Sequence, residues 1–128
     1  MQRRCRTGTV LLFNISDLRT IAIIRLTAYR YGIRLLEVDP EQQNQTIDRL
    51  LKDPDGKALP CPDPFQDEMM VMHDLSGEAF HALLDTLRRE GKSVKLKAVV
   101  TDHNRKWTAL HLHRELLAEA MTMSKRRK

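Results

Sequence analysis

Cysteine is nearly missing from this chain: Cys5 and Cys61 are the only two, far apart and in unlike contexts. That excludes a disulfide framework and leaves two free thiols in a reducing compartment as the expectation. Glycine is scarce too. None of the five glycines falls in a G-x-G-x-x-G or G-x-x-x-x-G-K pattern, so no dinucleotide fingerprint or P-loop is encoded, and there is no G-x-S-x-G nucleophile elbow. Six aromatics are few for a surface that stacks on bases. No apolar run reaches the ~18 residues a membrane-spanning helix needs. Arg3, Arg4 and Arg6 precede an apolar run, 10–13, that is too short for a signal core, so a cytoplasmic location is expected.

What is present fits one ordinary domain. At 128 residues, 41% hydrophobic and 30% charged, the chain can bury a core without a metal or disulfide staple. The net charge of +5 sits in the tails. Arg3, Arg4, Arg6, Lys125, Arg126, Arg127 and Lys128 supply seven positive charges, and without them fifteen basic residues face seventeen acidic ones, a net −2. Residues 1–7 and 123–128 therefore read as solvated basic tails that attract polyanions weakly.

Between the tails, strands and helices alternate. The run 8–14 (GTVLLFN) reads as a buried strand. Residues 16–31 read as a helix capped by Ser16 and stopped by Gly32, with apolar positions around most of its girth and hence well buried. A strand follows at 33–38. A short helix then opens at Asp39-Pro40-Glu41-Gln42 and carries Ile47, Leu50 and Leu51 on its apolar edge. Residues 53–66 hold four of the five prolines and read as a connection. The second half repeats the order: a strand at 67–73, a helix at 76–90, a strand at 94–100 with Val94 and Leu96 alternating against Lys95 and Lys97, a loop at 101–107 and a helix at 108–121.

The expectation is a single α/β domain over 8–122, a four-stranded sheet with helices from two β-α-β-α halves, 8–52 and 67–122. The halves match loosely at an offset of about sixty residues, an internal pseudo-repeat that capping rules alone also explain. Each β-α-β makes a right-handed crossover between parallel strands. The direction of one half against the other stays open. Parallel halves give an open α/β sheet, and antiparallel halves give a ferredoxin-like α+β arrangement with extra helices.

The pieces FNISD, YGIRLLEVD, DEMMVMHDLSGEAFHALLDTLRREG, LKAVVTDHNRKWT and LHREL resemble a small bacterial family known as a domain of unknown function, over about residues 9 to 119. The most specific stretch is Thr101-x-x-Asn104-x-x-Trp107-Thr108 after the last strand. The resemblance implies a complete cytosolic protein and brings no activity, cofactor or catalytic residue.

The ligand-binding candidates are Thr101, His103, Asn104, Arg105, Lys106, Trp107 and Thr108. Their loop leaves a strand and enters a helix, where open α/β sheets bind ligands and helix N-termini favour anions. Arg105 and Lys106 supply charge, Asn104 and Thr108 hydrogen bonds, and Trp107 a stacking plane. Caps, turns and a core anchor account for the same residues. Asn14, Ser16, Asp39, Asp74 and Ser76 end other strands, and would gather with Thr101 if all four strands ran parallel. For metals, His111 and Glu115 share a helix face, and Glu78 and His81 form one Glu-x-x-His unit. Neither pair has a third ligand, so no metal, cofactor or catalytic set is expected. The functional expectation is a binding or regulatory module without catalysis and with possible self-association. The alternatives are an RNA- or ribosome-associated protein and a small enzyme working at the strand ends.

Overall fold

The structure, a computed structural model, describes residues 8–53, 56 and 60–126. Cys5, the tail residues Arg3, Arg4, Arg6, Arg127 and Lys128, and part of the proline-rich connection lie outside them. Four strands form one mixed sheet in the order β2-β1-β3-β4: β1 (Thr9–Phe13), β2 (Arg34–Val38), β3 (Met69–His73) and β4 (Leu96–Val99). Four helices connect and cover them: α1 (Leu18–Tyr31), α2 (Ile47–Lys52), α3 (Gly77–Arg89) and α4 (Ala109–Arg126).

The central strands are continuous apolar runs because both of their faces are covered. Val10, Leu12, Met70 and Met72 face one way, against Ile23, Ile24 and Ala28 of α1 and Ala79, Leu83 and Leu87 of α3. Leu11, Phe13, Met69 and Val71 face the other way, against Ile47 and Leu50 of α2, Phe65, and Ala109 and Leu112 of α4. Each Val, Leu, Ile, Phe or Met among them, fully buried, stabilises the fold by roughly 1.5–3 kcal/mol. The sheet is thus the middle of three layers.

β1 and β2 are parallel, as are β3 and β4, but β1 pairs with β3 antiparallel. The halves therefore run in opposite directions. The ferredoxin-like alternative is nonetheless not what forms, because the two parallel strands of each β-α-β unit are immediate neighbours and no strand splits them. The antiparallel pairing sets Leu11 opposite Val71, with Thr9 opposite His73 and Phe13 opposite Met69 at its ends. A second pairing repeats this relation. Thr46 and Thr108 bridge antiparallel, and the Ile47 N–H donates to the Trp107 carbonyl (2.8 Å) while the Ala109 N–H donates to the Gln45 carbonyl (3.0 Å). Each threonine also caps the helix it precedes, accepting from Arg49 N and His111 N.

Local chemistry explains where the elements begin and end, and corrects several expected bounds. Asp17, not Ser16, caps α1, accepting from the Thr20 N–H at 2.9 Å. Gly32 ends it in the left-handed conformation. The segment opening at Pro40 is a 3-10 turn, Pro40–Gln42, and α2 starts only after the Thr46 cap. Lys95 forms a bend that breaks the expected alternation, so Val94 joins the core under α1 and α3 while Leu96 joins the opposite one. α4 runs on to Arg126, past the expected end at 121, and residues 118–123 are all exposed. Gly8 is required by a close approach: at φ 112° a Cβ there would lie 2.3 Å from the His73 carbonyl oxygen.

Candidate functional site

The loop after β4 is ordered by its own side chains. Asn104 accepts from the Thr101 N–H (2.8 Å) through Oδ1 and donates to the Val99 carbonyl (3.1 Å) through Nδ2, while its N–H donates to Thr101 Oγ1 (3.0 Å). These bonds wind the chain into the 3-10 turn Asn104–Lys106. Arg105 reaches across to α2, where Nε and Nη2 donate to Asp48 Oδ1 at 3.2 and 2.9 Å. Hydrogen bonds from Lys52 and then Arg105 hold the Asp48 carboxyl below the usual carboxylate range. Trp107 is half-buried against the α2–α4 core, stacked on His111 with ring centres 4.4 Å apart and met edge-on by His103 at 5.1 Å. Thr108 caps α4. His103 and Lys106 are exposed. Loop, α2 and the start of α4 thereby form one joint.

Because the halves oppose each other, the strand ends do not gather. Asn14, Ser16 and Asp39 follow β1 and β2 at one end of the sheet, whereas Asp74, Ser76 and Thr101 follow β3 and β4 at the other. Each end has its own cleft. The first, about 200 Å³, is lined by Leu12, Asn14, Ile15, Glu37, Val38 and Asp39. The second, about 310 Å³, is lined by Met72, His73, Asp74, Leu75, Val99 and Val100. Asn14 and Asp74 hold matching positions and both adopt positive φ, 59° and 57°. Asn14 is occupied structurally, donating to the Phe65 and Asp67 carbonyls. Ser76 caps α3.

The histidines are dispersed. His111 Nε2 lies 3.3 Å from Glu115 Oε1, as the helical spacing implied. His113 stacks flat on Phe65 with ring centres 4.2 Å apart, and its Nε2 lies 2.8 Å from Asp67 Oδ2, whose other oxygen meets Lys95 Nζ at 2.7 Å. Hydrogen bonds from Lys95 and then His113 lower the Asp67 carboxyl below its ordinary range. Among the described residues, no group of three or more His, Cys, Asp or Glu side chains comes together to hold a metal. No helix among them is long and apolar enough to cross a membrane.

One surface was not anticipated from the sequence. α1 was expected to be well buried, yet Leu18 is 82% exposed, Tyr29 76% and Leu26 61%. Among the described residues, no layer covers that side of the helix. A groove of about 210 Å³ runs beside it, between α1 and α3, lined by Arg19, Ala22, Leu26, Arg30, Thr86 and Glu90. The sequence carried part of the signal: apolar positions recur around most of the girth of α1, so not all of them can face the one core beneath it.

No curated protein and no solved structure matches the chain. The resemblance noted over residues 9 to 119 is found in the second half: residues 68–123, from the residue before β3 into the exposed end of α4, match the family model described as Domain of unknown function (DUF3783).

Proposed function

We propose that this chain is a small binding or regulatory module without catalysis of its own, acting in the bacterial cytoplasm and built from two copies of one β-α-β-α unit. The observation that carries this reading is the use of the candidate loop. Asn104, Arg105, Trp107 and Thr108 are engaged in the joint between α2, β4 and α4. Their chemistry orders the fold instead of facing a substrate. The two-copy reading is supported by the relation between the halves: Leu11 pairs with Val71 and Thr46 with Thr108. Weak polyanion attraction belongs, in this reading, to the basic tails.

Thermal-shift titration of the full chain with nucleotides and phosphorylated small molecules tests it, beside His103→Ala and Lys106→Ala, two of the exposed positions of the loop. No loop-dependent stabilisation is expected. A shift that both variants abolish overturns the reading in favour of a small-molecule site at the β4 end. Salt-sensitive RNA binding that survives removal of residues 1–6 and 125–128 overturns it in favour of a nucleic-acid surface on the fold.

A further inference from the structure

We infer that α1 is a self-association surface, on which a second copy of this chain packs its own α1 antiparallel. This rests on the binding-module reading and names the partner. The exposed residues of α1 are Leu18, Arg19, Ala22, Arg25, Leu26, Tyr29 and Arg30. Of these, Leu18, Ala22, Arg25 and Tyr29 follow a four-three-four spacing, the seam by which two helices meet side by side. A two-fold axis between positions 22 and 25 sets Leu18 against the Tyr29 of the second copy. It also sets Ala22 against that copy's Arg25, whose apolar stem fits over the small side chain.

Charge decides for a second copy over other occupants. Arg19 and Arg30 lie on one flank of the stripe and Arg25 at its other edge, and α1 contains no acidic residue. Two carboxylates of the fold lie at the stripe's margins: Glu90 pairs with Arg19, and Glu37 with Arg25. Arg30, at the far end, lines the same groove as Glu90. An antiparallel two-fold keeps the same flank of both helices on the same side, so it brings each Arg30 to the other copy's Glu90. On the opposite flank it places two Arg25–Glu37 pairs side by side with alternating sign. The apolar rows and the charged margins are thus both complementary to themselves, as a two-fold interface requires.

A 14-residue helix is about 21 Å long, and its face is a small footprint beside the ~800 Å² per partner of a stable interface. The pair should therefore dissociate on dilution. Sedimentation velocity on the full chain from about 1 to about 500 µM reads this, covering a range in which weak association changes from absent to dominant. The expected result is a shift from monomer to dimer across the series. Leu18→Glu and Tyr29→Glu, changes at exposed positions with a wild-type melting curve as the folding control, should abolish it. Arg30→Glu should weaken association at least tenfold. A wild-type chain that stays monomeric throughout overturns the proposal. If its α1 amide signals then move when phosphatidylserine vesicles are added, the face binds lipid instead. A dimer untouched by Leu18→Glu and Tyr29→Glu overturns it equally, because the contact then lies on another surface. Neither result bears on the loop titration, which tests the module reading by itself.

Discussion

Gln43 offers the sharpest test of what holds the two halves together. It is fully buried, and its amide clasps the backbone of Phe65: Oε1 accepts from the Phe65 N–H at 2.8 Å, and Nε2 donates to the Phe65 carbonyl at 3.2 Å. Among the described residues of the connection, Phe65 is the one that enters the core, between Phe13 and His113. Gln43→Leu keeps the volume and removes both bonds. The Phe65 carbonyl retains a donor in Asn14 Nδ2 at 2.8 Å, but among the described residues no second acceptor meets its N–H. An orphaned buried N–H costs roughly 1–3 kcal/mol, and each ordinary bond lost about 1 kcal/mol. The expected loss is about 2–3 kcal/mol. For a domain of this size, between the classes for which 1 kcal/mol means ~4–8 °C and ~2–4 °C, that lowers Tm by roughly 6–15 °C. Urea unfolding followed by far-UV circular dichroism measures it, with an unchanged slope showing that the native state stays compact. A second variant checks the mechanism. Asn14→Ala alone leaves Gln43 to serve the Phe65 carbonyl, so the double variant should exceed the sum of the singles by about 0.5–1 kcal/mol. A Gln43→Leu protein within about 0.5 kcal/mol of wild type would refute the reasoning, because the clasp would then contribute nothing that packing does not.

Two further outcomes follow from the same core. The lowered Asp67 pKa means that its contribution is present above the ordinary carboxylate value of about 3.9 and is lost as pH falls through the lower folded value. Asp67→Asn should therefore be less acid-sensitive than wild type below about pH 5, which urea midpoints across a pH series measure, and parallel profiles would contradict it. Trp107→Ala should cost about 2–3 kcal/mol, less than the ~3–5 of a fully buried aromatic because the ring is only half-buried. A loss below about 1 kcal/mol, with wild-type fluorescence responding to nucleotides, would move the ring from the fold to a ligand site.

The order of elements was legible because each is marked by local chemistry: the doubly apolar runs of β1 and β3, the Gly32 stop, and the Ser76 cap. Bounds slipped where two neighbours compete for one role. Ser16 and Asp17 can both cap, and Asp17 prevails because its carboxylate reaches both the Thr20 N–H and the Thr20 hydroxyl. Pro40 fits a first helical position, but the chain there makes one 3-10 turn before Gln43 turns inward to Phe65, a contact 22 residues away that no local rule encodes. The direction of the halves was likewise a tertiary matter. Nothing in Leu11 or Val71 distinguishes a parallel from an antiparallel neighbour, and that choice sent Asn14 and Asp39 to one end of the sheet and Asp74 and Thr101 to the other.

The candidate loop shows why residue type underdetermines role. Asn, Arg, Trp and Thr at a strand-to-helix junction suit an anion site and a capped, stacked turn alike, and only the partners separate them: Val99, Asp48, His111 and the α4 N–H groups. α1 presents the reverse case, in which a pattern legible as burial proved to be exposure. Its counterpart α3 lies in the same layer and makes the comparison fair. From Glu78 onward, the exposed positions of α3 are Glu78, His81, Arg88 and Arg89, all polar. α1 exposes Leu18, Ala22, Leu26 and Tyr29 among its arginines. If outward apolar residues were a by-product of building this layer, both helices would carry them. Only α1 does, so its outward face answers to something outside the layer, and the antiparallel pairing of two α1 helices proposed above would supply it.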